Sequence, residues 1–286
     1  MEEVIAWASL HDISWQREIY PDSPFPMLSF RGKTGDEIWL HLIELHVWES
    51  EAGILQEEFF KQTAATLRIT HPKFVNLWED QWNQKGVQVK ERLLTLLGYN
   101  ATLAGRLTIA QKIERSTAND FIDKWHVNGS VNSVSQFGLY LPKRRFGYLP
   151  DSFQPDVHDE AMLVAVATFG RLRKMSFIKE GYLSGELVRF VSIGGLNIVG
   201  GLSKLLSAFQ KEHPVDDIMT YADLDWSNGN NYAKAGFVSI DDKSPFVFYI
   251  NQSDMQRVGR VESSVQHHYI KGINAGSRKW IKYNSK

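Results

Sequence analysis

Leu196-Asn-Ile-Val-Gly-Gly-Leu-Ser-Lys-Leu-Leu206 and, past Pro214, Tyr221-Ala-Asp-Leu-Asp-Trp-Ser-Asn-Gly-Asn-Asn-Tyr-Ala-Lys-Ala-Gly-Phe237 are the stretches on which the fold turns. Gly200 and Gly201 stand directly before an amphipathic run in which Leu202, Leu205, Leu206 and Phe209 recur at helical spacing. Glycines there allow a loop's backbone N–H groups to approach an anion, and a helix N-terminus adds partial positive charge. The alternative is that the glycines let the helix pack tightly against a strand. Pro214 ends the helix, Asp217 to Ala222 reads as a short strand closed by Asp223, and a second short helix spans Asn230 to Lys234 with Gly236 as its C-terminal cap.

A glycine turn, a helix, a strand and a short tyrosine-bearing helix in this order resemble the core of the GNAT acyltransferases. Tyr232-Ala-Lys-Ala-Gly236-Phe237 is similar to that family's tyrosine, lysine, leucine, glycine, phenylalanine signature, whose tyrosine often protonates the thiolate of departing coenzyme A. The resemblance implies an acetyl-CoA or related acyl-CoA donor held by Gly200, Gly201, Leu202, Ser203 and Lys204. Gly201 and Ser203 occupy the two small-residue positions of the family's pyrophosphate loop, while Ile198 stands where the family has glutamine or arginine.

Size and composition bound the rest. The chain has 286 residues, a net charge of −1 and no cysteine. That length suits one large domain or two ordinary ones. The missing cysteine excludes disulfides, thiolate zinc sites and cysteine nucleophiles, and it suits a cytoplasmic protein. The N-terminus carries Glu2 and Glu3 where a secretory signal needs cations, and no apolar run approaches a bilayer span, so no membrane partner is expected. Net charge argues against a polyanion held by overall charge. The C-terminal run nevertheless holds Arg257, Arg260, Lys271, Arg278, Lys279, Lys282 and Lys286 against Glu262, a bias that either follows a phosphate backbone or belongs to a solvated tail.

From the N-terminus, short apolar pieces around Trp7 and Trp15 lead into the proline-rich Pro21–Pro26, expected to be an arm or linker. Glu37 to Trp48 reads as a strand or strand pair, Glu57 to Ile69 as a helix, Lys73 to Trp78 as a strand, and Val89, Leu93, Leu96 and Leu97 as one face of a helix that Gly98 ends. Phe74-Val-Asn-Leu-Trp-Glu-Asp-Gln-Trp82, followed by Val89-Lys90, resembles the end of the restriction-endonuclease-like domain that precedes GNAT-like ones in phage proteins of the Hef-like homing endonuclease group. Magnesium would be needed if that domain cleaved nucleic acid, and the candidate metal residues are Asp36, Glu44 and His46. The compressed spacing and Glu49 in place of a histidine favour a degenerate nuclease that holds no metal.

Beyond Gly98, residues 99–106 read as a linker and Leu107 to Ile113 as a strand. A helix capped by Ser116 or Thr117 with Asp120 then buries Ala118, Phe121, Ile122 and Trp125. It delivers His126 to its C-terminal end, as a cap or as a base. Strands follow at Gln136 to Leu141, Met162 to Thr168 and Glu186 to Ser192, with a surface insert at 142–160. Arg189, alternating with apolar neighbours, needs an anion or an ion pair with Asp223. Asp223 at a strand end is placed to act as base, with Asp225 as a second candidate, and Ser203 either caps its helix or touches the cofactor. His126, Glu186-Leu-Val-Arg189, Ser203 and Tyr221-Ala-Asp223 also resemble the GNAT-like Mom DNA-modification proteins of phages, which implies a nucleic-acid acceptor.

The expected fold class is thus α/β (α+β). A degenerate restriction-endonuclease-like domain at 1–98 is followed by the 99–106 linker, a GNAT-like mixed sheet flanked by helices at 107–252, and a basic extension at 253–286. The expected function is N-acyl transfer from acyl-CoA to an amine, on a nucleobase or another nucleic-acid-linked group. Tyr232, Asp223, His126 and Arg189 are its candidate catalytic residues. The alternative is a phage-type DNA-binding protein or endonuclease with an accessory GNAT-like domain.

Overall fold

A computed structural model describes residues 1–153, 155 and 158–284. The chain folds into two compact units that are not consecutive in sequence. One comprises Met1–Tyr99, Ala222–Asn230 and Asp241–Arg278, and the other Asn100–Tyr221, Asn231–Ile240 and the residues from Lys279 on.

The first unit begins with α1 (Glu2–Leu10), β1 (Ser14–Glu18), β2 (Met27–Arg31) and β3 (Glu37–Ile43). It continues through α2 (Leu45–Glu51), α3 (Phe59–Thr70), β4 (Phe74–Trp78), α4 (Glu79–Gln84) and α5 (Gly86–Leu96). Its four-stranded sheet has the order β1-β2-β3-β4, antiparallel except for the parallel pair β3 and β4. Residues 1–30 are therefore no arm. The proline-rich segment is the β1–β2 connection, where no ladder donor is needed, and it seats Phe25 in an aromatic cluster with Phe60, Trp48 and Trp78. The strand expected to reach Trp48 stops at Ile43, because the Glu79 carboxylate accepts the Leu45 N–H at 2.7 Å and helps turn the chain into α2. Every residue of β4 is buried, and its open edge is met by the 222–230 segment, where Asn76 N–H donates to the Asp225 carbonyl at 2.8 Å.

The second unit contains β5 (Ala101–Ala104), a 3-10 turn (Gly105–Leu107), β6 (Ile109–Lys112), α6 (Arg115–Trp125), β7 (Ser135–Pro142), β8 (Ala161–Phe169) and β9 (Arg173–Lys174). After these come β10 (Leu183–Ser192), β11 (Leu196–Val199), α7 (Gly201–Glu212), β12 (Asp217–Asp223), α8 (Asn230–Lys234) and β13 (Val238–Lys243). The chain then returns to the first unit as a small sheet of β14 (Val247–Asn251), β15 (Arg257–Val258) and β16 (Tyr269–Ile273), ordered β15-β14-β16, before β17 (Ser277–Tyr283). The main sheet runs β13-β17-β12-β10-β8-β7-β6, with β9 paired to β10.

Helices cover both faces of this sheet. Val166 and Phe169 on β8 are three residues apart and so point to opposite sides. Val166 packs with Ala118 and Ile122 of α6, while Phe169 stacks on Phe209 of α7 at 3.9 Å between ring centroids. This is the mixed, helix-flanked sheet that the GNAT resemblance implies.

The structure corrects several sequence expectations. The 99–106 linker carries β5, which pairs in parallel with β11, a partner about a hundred residues away that local patterning cannot reveal. Residues 253–284 hold β15, β16 and β17 rather than an extension. Helix α6 starts after Glu114 and has no side-chain cap bond, so Ser116, Thr117 and Asp120 form no capping box there. Part of the 142–160 insert, together with Lys286, lies outside the described residues.

Candidate functional site

Three features of the second unit define the candidate site. First, β10 pairs with β12 through three residue pairs, Ser184–Glu186 with Asp217–Met219, whereas its pairing with β8 runs from Leu187 to Ser192. Beyond the ladder, Thr220 Oγ1 donates to the Leu187 carbonyl at 2.9 Å. A register shift between Leu187 and Arg189 marks a bulge at this point. Bulges bend a strand and raise its twist, so a bulge where one ladder stops opens a wedge between two parallel strands.

Second, the turn beyond β11 is built for close backbone approach. Gly200 has φ +76°, a conformation that L side chains rarely adopt, and nothing lies within 4 Å of where its Cβ would be. The twelve-residue α7 begins at Gly201 with no side-chain cap bond and no acidic residue in its first turn. Its first intrahelical bond runs from Lys204 N–H to the Gly200 carbonyl, which leaves the N–H groups of Gly201, Leu202 and Ser203 without intrahelical partners. Such an end suits an anion. Gly201 also serves packing, since a Cβ there would stand 2.9 Å from Ile198 Cγ2 and 3.2 Å from Leu139 Cδ1. The two readings of the glycine pair thus divide between its members.

Ser203 is exposed and lies inside the first turn; its carbonyl accepts from Ser207 Oγ at 2.9 Å. The helix is entered through Gly200, so Ser203 is not its cap. Lys204 Nζ donates to the Gly105 carbonyl at 3.1 Å and to the Thr108 carbonyl, and burial followed by the nearby Arg145 charge lowers its pKa. Gly105 escaped the sequence reading. A Cβ on it would come within 2.8 Å of the Val199 carbonyl oxygen and 3.2 Å of Gly201 N, so it lets the 3-10 turn back directly onto the glycine turn. Its signal was weak, a single glycine in a stretch read as a linker.

Third, the loop after α6 is tied to β10. His126 is the C-cap residue of α6, and its Nδ1 accepts the Asn128 N–H at 3.1 Å. Three residues on, the Gly129 carbonyl accepts from Arg189 Nε at 2.9 Å, and Arg189 Nη1 donates to the Val188 carbonyl. Arg189 thus fastens the His126 loop at the bulge.

Tyr232 on α8 is half-buried, its ring centroid 5.6 Å from Phe237 and 6.3 Å from Trp280. Gly236 has φ +86°, as its capping role requires. Asp223 ends β12, where one of its carboxylate oxygens accepts the Asp225 N–H at 3.0 Å. Asp225 is not a spare base. It is 2% exposed, accepts from Asn76 Nδ2 and the Ala275 N–H, and burial with the neighbouring Asp223 charge pushes its pKa up to about 7.

The nuclease candidates do not assemble. Asp36 and Glu44 lie just before and just after the seven-residue β3, which separates them by about 26 Å in an extended chain. Asp36 is bound by Lys73 at 2.5 Å and Thr34 at 2.9 Å, which lowers its pKa, and Glu44 pairs with the N-terminal amine at 3.0 Å. His46 is exposed. Among the described residues no cluster of three or more His, Asp or Glu could hold a metal ion, and no helix is long and apolar enough to cross a membrane.

Three residues of the basic C-terminal run are engaged in folding. Arg257 pairs with Asp80, Arg278 with Asp242, and Lys282 donates to the Ala235 carbonyl.

No protein-family model matches the chain, and no curated protein matches it. Among solved structures, the NatC complex bound to Gag peptide and CoA is similar over 62% of this chain and 99% of the matched chain, at 10% identity and a TM-score of 0.34. Arabidopsis thaliana NAA60 in complex with acetyl-CoA is similar over 62% and 98%, at 11% identity and a TM-score of 0.34.

Proposed function

We propose that the second unit is a GNAT-type acyltransferase that moves an acyl group from an acyl-CoA donor to an amine. The observation that carries this reading is the wedge between β10 and β12, with an uncapped helix N-terminus following the same β10–β11 connection. The donor supplies a thioester-activated acyl group. The open space at Gly200 fits such a donor's diphosphate, which the N–H groups of Gly201, Leu202 and Ser203 would hold, with Lys204 bracing the turn from behind through the Gly105 and Thr108 carbonyls.

Asp223, which closes β12, would take the proton from the acceptor nitrogen. His126 is the second candidate base, with Arg189 holding its loop, and Tyr232 would protonate the departing sulfur. The finer acceptor, an amine on a nucleobase or another nucleic-acid-linked group, is supported by the Mom-like residue types at His126, Arg189, Ser203 and Asp223. We read the first unit as a restriction-endonuclease-like scaffold without metal chemistry, which makes magnesium-dependent cleavage the weaker alternative.

Thermal unfolding with added acetyl-CoA, longer acyl-CoAs and free adenosine tests this. A ligand that binds the native state raises its stability, by about 2.7 kcal/mol at a hundredfold excess over Kd. The expected result is a rise with the acyl-CoAs and none with adenosine. An unmoved melting temperature at millimolar acyl-CoA would overturn the proposal.

A further inference from the structure

We propose that the β9–β10 hairpin docks a nucleic-acid strand, with Phe177 against a base and Arg171, Lys174 and Lys179 against phosphates. This site is separate from the acyl-transfer wedge and does not depend on that reading.

The hairpin reads Arg171-Leu-Arg-Lys-Met-Ser-Phe-Ile-Lys-Glu-Gly-Tyr182, four cations against one carboxylate, Glu180. It is an ordered loop. Lys174 and Arg173 pair with Leu183 and Ser184, and Met175 N–H donates to the Tyr182 carbonyl at 2.9 Å. Tyr182 N–H returns to the Lys179 carbonyl at 3.0 Å, and Ile178 N–H donates to the Met175 carbonyl at 2.9 Å. This frame presents Phe177 at 80% exposure beside Ile178 at 53%. A large aromatic residue held that far out on a hydrogen-bonded tip buries little of its ring.

The carboxylates at the foot of the hairpin have other work. Glu186 pairs with Arg173 at 2.8 Å, Asp217 accepts from Tyr182 and Ser184, and Asp216 accepts the Leu183 N–H. Lys174 and Lys179 are exposed on either side of the tip, and Arg171 is exposed at the hairpin's foot. Cations that track a phosphate backbone and one aromatic ring for a base are the elements of strand binding, and an apolar pair such as Phe and Ile also suits a wedge at a base step. A lipid surface would need a broader apolar face than two residues supply. The hairpin stands at the Leu183 end of β10, whereas the wedge opens from Leu187 toward Ser192, so the two lie at opposite ends of the strand.

Fluorescence anisotropy of the intact protein with a labelled oligonucleotide, single-stranded and duplex, tests the proposal at low and moderate salt. Binding is expected to fall steeply as salt rises. Phe177→Ala should weaken it about tenfold, and the pair Lys174→Glu with Lys179→Glu should abolish it. The C-terminal pair Arg260→Glu with Lys271→Glu should leave it unchanged. All these residues are exposed, and unchanged melting temperatures would show that the variants fold. Hairpin-dependent binding of either nucleic-acid form supports the site. Failure to bind both forms, binding indifferent to the hairpin variants, or Phe177-dependent binding to anionic phospholipid vesicles in place of oligonucleotide overturns it.

Discussion

Arg257 grips Asp80 through two parallel hydrogen bonds, Nε to Oδ2 at 2.8 Å and Nη2 to Oδ1 at 2.7 Å, across 177 positions of sequence. The Asp80 side chain is 3% exposed, and the guanidinium also lies 3.7 Å from the Phe248 ring centroid. The pair pins β15 to the start of α4 within the first unit.

Removing the cation alone should therefore strand a buried carboxylate. Arg257→Ala is expected to cost about 3–5 kcal/mol in urea unfolding, and the double change Asp80→Asn with Arg257→Met should recover much of it. Equal losses in the single and double variants would show that packing, not charge, holds this joint.

The buried chain His41, Asn76, Asp225 predicts opposing pH effects. His41 Nδ1 meets Asn76 Oδ1 at 2.9 Å, and Asn76 Nδ2 donates to Asp225 at 3.2 Å. Burial lowers the His41 pKa from 6.5 to about 4, while Asp225 is raised from 3.8 to about 7. Between pH 4 and 6.5 the unfolded state binds the histidine proton and the native state does not, so this term makes stability rise with pH. Between pH 4 and 7 the native state keeps the Asp225 proton that the unfolded state has lost, so that term makes stability fall. The two largely offset. Relative to the parent protein, Asp225→Asn should steepen the rise in urea midpoint from pH 4.5 to 6.5, and His41→Gln should turn it downward. Parallel profiles in all three proteins would refute the assignment.

Gly200 predicts a graded series set by its left-handed backbone. Gly200→Ala should cost about 1–2 kcal/mol and Gly200→Asn less, because asparagine tolerates this conformation. With open space around the position, the losses should not scale with side-chain volume. Denaturant midpoints for Ala, Asn and Ser at this position give the comparison, and a steady fall with size would contradict it.

Tyr232→Phe removes one hydroxyl from a half-buried ring that keeps its contacts with Phe237 and Trp280. If the phenol protonates the leaving thiolate, turnover should drop at least tenfold with little change in the acetyl-CoA thermal shift or the melting temperature. An unchanged rate would remove Tyr232 from the mechanism.

Elements with strong local signals were legible in sequence. The run Leu202, Leu205, Leu206, Phe209 marks α7, Asp217 to Asp223 is the strand expected there, and α8 spans Asn230–Lys234 as read. What failed was long-range. Nothing in Ala101–Ala104 announces β11 as its partner, and the prolines of 21–26 hide a sheet connection behind the look of a linker. Asp36 and Glu44, named only as weak metal candidates in a nuclease read as degenerate, stand at opposite ends of β3, a separation that residue types alone do not convey.

Periodicity, capping and glycine placement act over a few residues, so the sequence by itself determined α7, β12, α8 and where the glycine turn falls. The wedge between β10 and β12, the tie of Arg189 to the His126 loop, the backing of the turn by Gly105 and the burial of Asp225 were decided by tertiary structure. Each depends on strands and carbonyls brought together from distant positions, and on burial that changes what a charge costs.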